Sequence, residues 1–426
     1  MKKVLVVVSM LPFFALAQNA DSVINANAVE RIEKKLSSDA LRGRKVFTKD
    51  IQKASAFIES EFKKIGLKPF NGYKNFRQEF SMTESINTAA HVVIDGREIE
   101  DSSVAAFSFQ PQVSLTNHDS VQVVKIAAGD NVRQQFNTYF YSDKNLLVLV
   151  DASFQPFAQR IKSIDNASLK PGKNTVVFVF GVKDANTFSV KLENKVTQKP
   201  LNNVVGIIPG KTKPDEYVIF SGHYDHLGVG KPDGKDSIYN GANDDAAGTT
   251  AVILLAKYFK ALNNNQRTLV FATFTAEEIG EYGSEYFSEQ FDPAKVIAMF
   301  NIEMIGTESK WGKNSAYITG YEKTDMGKIL EKNLQGSEFE FHPDPYTKEQ
   351  LFYRSDNATL ARKGVPAHTI STSKMDNEPN YHKVSDEIGT LDLKNMTAII
   401  KAIAKSSVSI VNGTDTPTRV NPDDLK

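Results

Sequence analysis

The chain of 426 residues contains no cysteine. Disulfides, a thiol nucleophile, thiolate metal ligands and a cysteine-borne lipid anchor are therefore all excluded. Any metal must be held by His, Asp and Glu, a donor set that suits Zn²⁺ or Mn²⁺ better than an iron–sulfur cluster. Net charge is lacking too, because 51 Lys and Arg balance 51 Asp and Glu. No global field draws such a chain to nucleic acid or to an anionic membrane, and a small neutral or mixed-charge substrate is the simpler expectation. There is no internal repeat, and past the N-terminus no apolar run approaches the ~20 residues of a membrane span.

The N-terminus carries a short apolar run, residues 4–14, after Met1-Lys2-Lys3 and before Ala15-Leu16-Ala17. A basic start, a short apolar stretch and a small-x-small site read as a secretory signal peptide over residues 1–17, so the protein is expected to be exported, to a periplasm or outside the cell. Pro12 and the shortness of the run argue against a retained anchor.

Apolar spacing predicts helices over 28–37 and 49–65. In the second, Ile51, Ala54, Phe57, Ile58, Phe62 and Ile65 share a face and Gly66 stops the helix. From 81 to 199 the pattern changes to short strands at 91–94, 120–126, 146–150, 175–180 and 188–192, with one helix at 154–164. This reads as an inserted accessory module of mixed α/β type, in which His91 and His118 take surface or structural roles. Residues 202–210 then form a strand expected to make a hairpin with 217–220. Further strands at 268–274, 296–300, 316–319 and 367–371 alternate with helices at 251–262, 324–334, 357–363 and 391–411. The expectation is a three-layer α/β/α sandwich with a central mixed, largely parallel sheet, built from 18–80 and 200–412. Residues 413–426 read as a disordered polar tail.

Three of these strands end in metal-seeking side chains. Residues 217–220 run into Ser221-Gly222-His223-Tyr224-Asp225-His226, 268–274 into Thr275-Ala276-Glu277-Glu278, and 296–300 into Asn301-Ile302-Glu303. Open α/β sheets bind ligands at the carboxyl ends of their strands, so these groups can converge. Asp244 and Asp245 lie in a Gly-flanked turn at a helix start, and His382 follows far downstream. Two imidazoles and at least three carboxylates exceed what one catalytic zinc takes from a protein. A metal pair sharing one carboxylate fits better, with a hydroxide between the ions. Of the doublet Glu277-Glu278, one can ligate while the other stays free as general base.

The ordered motifs Gly222-His223-Tyr224-Asp225, Asn243-Asp244-Asp245-Ala246-Ala247-Gly248, Ala276-Glu277-Glu278, Asn301-Ile302-Glu303-Met304, Ser355-Asp356-Asn357 and Tyr381-His382, with Leu41-Arg42-Gly43-Arg44 early on, resemble the secreted two-zinc exopeptidase family. That family, of the peptidase M28 kind, includes bacterial leucine-type aminopeptidases and glutamate carboxypeptidases. The resemblance implies two Zn²⁺ ions, with Mn²⁺ or Co²⁺ as substitutes. It implies that Asp244 bridges them, that Glu278 and His382 complete one site and His223 and Glu303 the other, that Glu277 is the general base, and that Asp225 orients His223. Glu303 stands where aminopeptidase members usually have Asp, and Asn357 where many have His. Tyr381 and Arg354 flank the expected cleft as candidates to hold a substrate carboxylate or the oxyanion. His226 and His368 are assigned structural or surface roles, Trp311 and Tyr346 packing.

The expected function is that of an exported zinc exopeptidase acting on peptides, an aminopeptidase in the leading reading. Alternatives are a carboxypeptidase or dipeptidase of the same family, a one-zinc glutaminyl cyclase on the same scaffold, or an inactive binding module.

Overall fold

The computed structural model describes residues 20–70 and 72–425. The expected leader at 1–17 lies outside the described residues. The chain divides into two compact units, one made of residues up to Phe80 and from Leu201 onward, the other of Ser81–Pro200. It passes between them within the strands Arg77–Ile94 and Phe188–Ile208.

The first unit is built on a mixed sheet. Its strands are β1 (Phe188–Ile208, from Leu201 on), β2 (Lys213–His223), β3 (Arg267–Phe274), β4 (Val296–Ile302), β5 (Ser315–Ile318), β6 (Glu340–Pro343) and β7 (Ala367–Ser371). Their order is β6-β5-β7-β4-β2-β3-β1. β2 pairs in parallel with β3 and β4, and β4 in parallel with β7. β1 and β5 run antiparallel to their neighbours β3 and β7.

The hairpin expected between 202–210 and 217–220 does not form, because β3 lies between the two strands. Val204 faces Thr273 and Ile208 faces Leu269 across β1 and β3, while Tyr217 faces Thr268 across β2 and β3. The physical reason is that β2 is buried in the middle of the sheet, so its backbone N–H and C=O groups must be paired along both edges, and the parallel strands β3 and β4 do this. The polar link instead crosses the start of β3: the Gly210 N–H donates to Thr268 Oγ1 and the Lys213 N–H to the Gln266 carbonyl.

Period-two alternation sends the apolar side chains to two faces. Ile219, Val270, Ala272, Phe274 and Met299 form one core with Phe287 and Leu360 from the helices Tyr282–Ser288 and Asn357–Ala361. On the other face Phe220 stacks between Phe271 and Phe300 at 5.6 and 4.9 Å, and against Phe259 of the helix Ala247–Leu262 at 5.3 Å. The long helix Leu393–Ser406 packs on Ala247–Leu262. The architecture is thus an α/β/α sandwich. β6 escapes the sequence pattern, since Glu340-Phe341-His342-Pro343 offers a single apolar residue.

Residues 413–426 do not form the disordered tail expected. The buried Arg267 guanidinium donates to the carbonyls of Ile410 and Asp415, each at 2.7 Å, and to Thr416 Oγ1 at 2.6 Å. Arg419 donates to the Val296 carbonyl at 2.6 Å, and Val420 is buried. Polar composition hid this, because the tail is fastened mainly by the Arg267 and Arg419 guanidinium groups, with only Val420 and Leu425 adding apolar contacts.

The second unit carries a four-stranded sheet in the order Val104–Ser108, Thr175–Phe180, Asn145–Val150, Val121–Ile126. The helix expected at 154–164 is split into a 3₁₀ segment Ala152–Phe157 and a short helix Ala158–Lys162, with Pro156 unable to supply a helical N–H. A further helix, Val132–Phe140, seats Phe136 and Phe140 against Phe107.

Candidate metal centre

The chain runs from β2 through the helix Ala247–Leu262 to β3 on one side, then to β4 on the other. β2 is therefore the point where the strand order reverses, the usual place for a ligand crevice. The parallel register brings His223 level with Phe274 and Ser221 level with Asn301. Glu277 and Glu278 leave the end of β3, and Glu303 leaves the end of β4, so all three strands deliver their polar groups at one level.

Asp244 lies between the two imidazoles. His223 Nε2 sits 3.1 Å from Asp244 Oδ1, and His382 Nε2 sits 3.2 Å from Asp244 Oδ2 and 3.1 Å from Glu278 Oε2. His223, Asp244 and Glu303 place one donor atom each within 4.8 Å of one another, and so do His226, Asp244 and Glu278. His223 Nε2 is buried without a hydrogen-bond partner. A lone pair aimed at carboxylates in a dry site is what a cation would satisfy, so the donor set fits zinc. The five expected ligands, His223, Asp244, Glu278, Glu303 and His382, are thus brought together around one shared carboxylate.

Glu277 stands apart from the donors, with Oε2 3.9 Å from His223 Nε2. Burial pushes its carboxyl well above the usual range, with Glu303, Asp356 and Glu278 adding to the effect and His223 opposing it. Burial likewise raises Glu303 to about 7, and Ser355 Oγ donates to its Oε2. Asp244 is driven the other way: burial opposes its charge, but the His223 and His382 contacts outweigh it. A cluster of buried carboxylates with so few cations is costly unless positive charge enters.

Asp225 is not arranged as expected. Its carboxylate is 3.8 Å from His223 Nδ1, too far to hydrogen-bond, and Nδ1 instead lies 3.3 Å from the Asp225 backbone carbonyl. The carboxylate accepts the Glu277 N–H at 3.2 Å and so holds the end of β3. Asp245 links three segments through one carboxylate, accepting the N–H groups of His223, Gly248 and Met304 at 3.2, 2.9 and 3.1 Å. Arg44 is fully buried and donates to the carbonyls of Leu36, Tyr224, Asn240 and Gly241, which ties the His223 and Asp244 loops together. Gly241 (φ 55°) turns the chain where a Cβ would strike His226 and the Asp244 carbonyl.

His226 belongs to the site and not to the general core or surface. Its Nδ1 lies 2.6 Å from Glu278 Oε1, and its ring is buried. The signal lay in plain view, since His226 follows the His-x-Asp motif directly. Tyr381 stacks on His382 with centroids 3.9 Å apart and lines a small cavity of about 50 Å³ together with Glu303, Met304, Arg354 and Met375. Arg354 pairs there with Glu349 at 3.4 Å. Trp311 lies apart, exposed and stacked on His342. Tyr346 is packed against Tyr317.

His368 is structural. Its Nδ1 donates to the Thr319 carbonyl and its Nε2 accepts from Thr324 Oγ1, both at 2.8 Å. Burial lowers its pKa to about 4 from 6.5. The stabilisation from keeping it neutral is complete above pH 6.5 and is lost as pH falls towards 4. The wild type should therefore lose about 3 kcal/mol more unfolding free energy than His368→Asn between pH 7 and 4, measured by urea titration.

Fold and cleft together define an α/β/α protein whose strand ends carry a carboxylate–imidazole metal cleft. Residues 203–407 match the model of peptidase family M28, and this region is an M28 peptidase domain. Among known sequences, 123 residues are 32% identical to aminopeptidase NAALADL1 of Mus musculus, over 27% of this chain and 15% of that protein. Aminopeptidase Y of Saccharomyces cerevisiae is 27% identical over 207 residues, covering 45% of this chain and 36% of that protein. The chain thus matches well under half the length of these relatives. Among solved structures, the aminopeptidase of Aneurinibacillus sp. strain AM-1 aligns with a TM-score of 0.55 at 17% identity, over 96% of this chain and 98% of that one. The zinc aminopeptidase BSAP of Bacillus subtilis aligns with a TM-score of 0.55 at 15% identity, over 92% and 97%. These two show the fold.

Proposed function

We propose that the protein is a zinc-dependent exopeptidase, an aminopeptidase, holding two metal ions. The observation that carries this reading is the pair of donor clusters sharing Asp244, one with His223 and Glu303 and one with Glu278 and His226, where His382 Nε2 also lies 3.2 Å from Asp244 and 3.1 Å from Glu278, with Glu277 beside them as a carboxylate outside both. His223 and Glu303 would hold one ion, Glu278 and His382 the other, and Asp244 both. Zinc bound there supplies Lewis acidity to the scissile carbonyl and lowers the pKa of the attacking water. Glu277 takes the proton from that water as the new C–O bond forms, and delivers it to the amide nitrogen as the C–N bond breaks.

Burial, then the nearby Asp244 and Glu303 carboxylates, keep Tyr381 a neutral phenol, able to donate to the oxygen that gains charge. Tyr381→Phe should lower kcat by about 10²-fold with little change in KM, a split read from steady-state kinetics. An unchanged kcat would remove Tyr381 from the reaction. Arg354, at the cavity, is placed to meet a polar group of the substrate.

The names of the relatives support the aminopeptidase reading over the carboxypeptidase and dipeptidase ones. The shared-carboxylate arrangement favours it over a one-zinc cyclase, and the full set of donors with Glu277 over an inactive module. The test compares a dipeptide with a free N-terminus against its N-acetylated form, with metal content measured on the same sample. Cleavage of the free form alone, with two zinc ions per chain, is the expected result; cleavage of the acetylated form alone would overturn the aminopeptidase assignment. Export is part of the proposal and rests on residues 1–17. N-terminal sequencing of the secreted fraction should read from Gln18, and a chain retained in the cytoplasm with Met1 intact would refute it.

A further inference from the structure

Four of the five proposed ligands need no special support, since His223, Glu278 and Glu303 sit at or just past buried strand ends and Asp244 lies in a fully buried turn. His382 differs. It lies on a stretch without helix or strand between Ser371 and Ile388, its φ is +56°, and its side chain is 37% exposed. A ligand on such a loop keeps its place only if the loop is fastened to the other ligands.

We infer that Asp386 is the positioning residue that does this, clasping the loop of His382 to the backbone that carries Asp244. The Asp386 carboxylate accepts the Asn243 N–H on Oδ1 at 2.8 Å and the Asp244 N–H on Oδ2 at 3.0 Å. Its backbone carbonyl accepts the Ala242 N–H at 3.1 Å. The neighbouring Glu387 Oε1 accepts the Asn240 side-chain amide at 2.6 Å. Three successive N–H groups and one side chain of the Asp244 turn are thus held by two consecutive acidic residues. Asp386 is 1% exposed, so its two charge-assisted bonds are shielded from water.

The other end of the clasp is rigid. The Asp386 N–H donates to the Lys383 carbonyl at 3.1 Å, the Lys383 N–H to the Asn380 carbonyl at 3.0 Å, and Ser385 Oγ to Asn380 Oδ1 at 2.9 Å. These bonds close residues 380–386 into one turn with His382 inside it. Asp386 accepts bonds only from backbone N–H groups and contributes no donor to the cleft. Asp244 is also anchored through its neighbour Asp245, whose carboxylate accepts the His223, Gly248 and Met304 N–H groups, whereas the His382 loop has Asp386 as its tie to that turn; loss of Asp386 therefore falls on the His382 subsite rather than on the other. This inference rests on the two-metal reading above.

The test is a calorimetric zinc titration of the metal-free protein and of Asp386→Asn, with amide hydrogen exchange followed at Asn243 and Asp244 before metal is added. The variant keeps the shape but replaces one acceptor oxygen by an NH₂ that faces an N–H. Asp386→Asn should weaken one zinc-binding step about 10–100-fold and leave the other within about threefold. The two amides should exchange faster. In a His382→Ala background Asp386→Asn should add almost no further loss, because the two changes act through the same ligand. Weakening of neither step, equal weakening of both, or a full additional loss without His382 would overturn the inference. Glu387→Gln loosens the same clasp less severely and should shift the same step in the same direction, which keeps the test open if Asp386→Asn does not fold. A wild type with a single zinc step would refute the two-metal reading; the clasp then stands or falls on the exchange of Asn243 and Asp244.

Discussion

Glu277→Gln is expected to lower kcat on an aminoacyl substrate by ~10²–10⁴-fold while zinc content stays at the wild-type value. The change preserves size and burial but removes the only role proposed for this side chain, acceptance and return of a proton. Glu277 is outside both donor clusters, and its backbone N–H is fixed by Asp225, which the substitution leaves alone. The check is steady-state kinetics beside elemental analysis of the same preparation. Loss of zinc with the loss of turnover would make Glu277 a ligand and leave the general base unassigned. Retained turnover would transfer that role to another group.

Asp244→Asn should have the larger effect on metal. Both clusters contain Asp244, and its two oxygens face different imidazoles, Oδ1 towards His223 and Oδ2 towards His382. One substitution therefore weakens both subsites at once, unlike a change at His223 or His382, which strikes one. The wild type with zinc at 100 times its dissociation constant should gain about 2.7 kcal/mol of stability per site, seen as a rise in Tm, and Asp244→Asn should lose most of it. Turnover should fall below detection. A variant that still binds one zinc with wild-type affinity would show that Asp244 serves a single ion.

Much of the fold was legible because its signals are local. The strands Thr175–Phe180 and Ala367–Ser371 and the helix Lys49–Ile65 have the bounds that apolar pattern and stop signals predict. Thr48 caps that helix and Gly66, at φ 78°, ends it. Pairing was less legible. The hairpin across 211–215 was a sound inference from adjacency, since consecutive strands often pair. It failed because β3, fifty residues on, fits between the two strands. Segments with sparse apolar residues were missed for the same reason that the tail was misread. Glu340–Pro343 and residues 413–425 are held largely by backbone pairing and by Arg267 and Arg419, with only Phe341, Val420 and Leu425 as apolar anchors.

The sequence by itself determined the donor set. The absence of cysteine restricted any metal to His, Asp and Glu, and three apolar runs ending in His223, Glu277-Glu278 and Glu303 put those donors at strand ends. Only the tertiary structure decided which of them meet. It placed His226 on Glu278, moved the carboxylate of Asp225 from His223 to the Glu277 N–H, and set Asp386 against the Asn243-Asp244 backbone. The reason is physical. Residue type and strand end are properties of short stretches, whereas hydrogen bonds between residues 52 to 143 positions apart depend on the register of strands and the path of turns that no local pattern encodes.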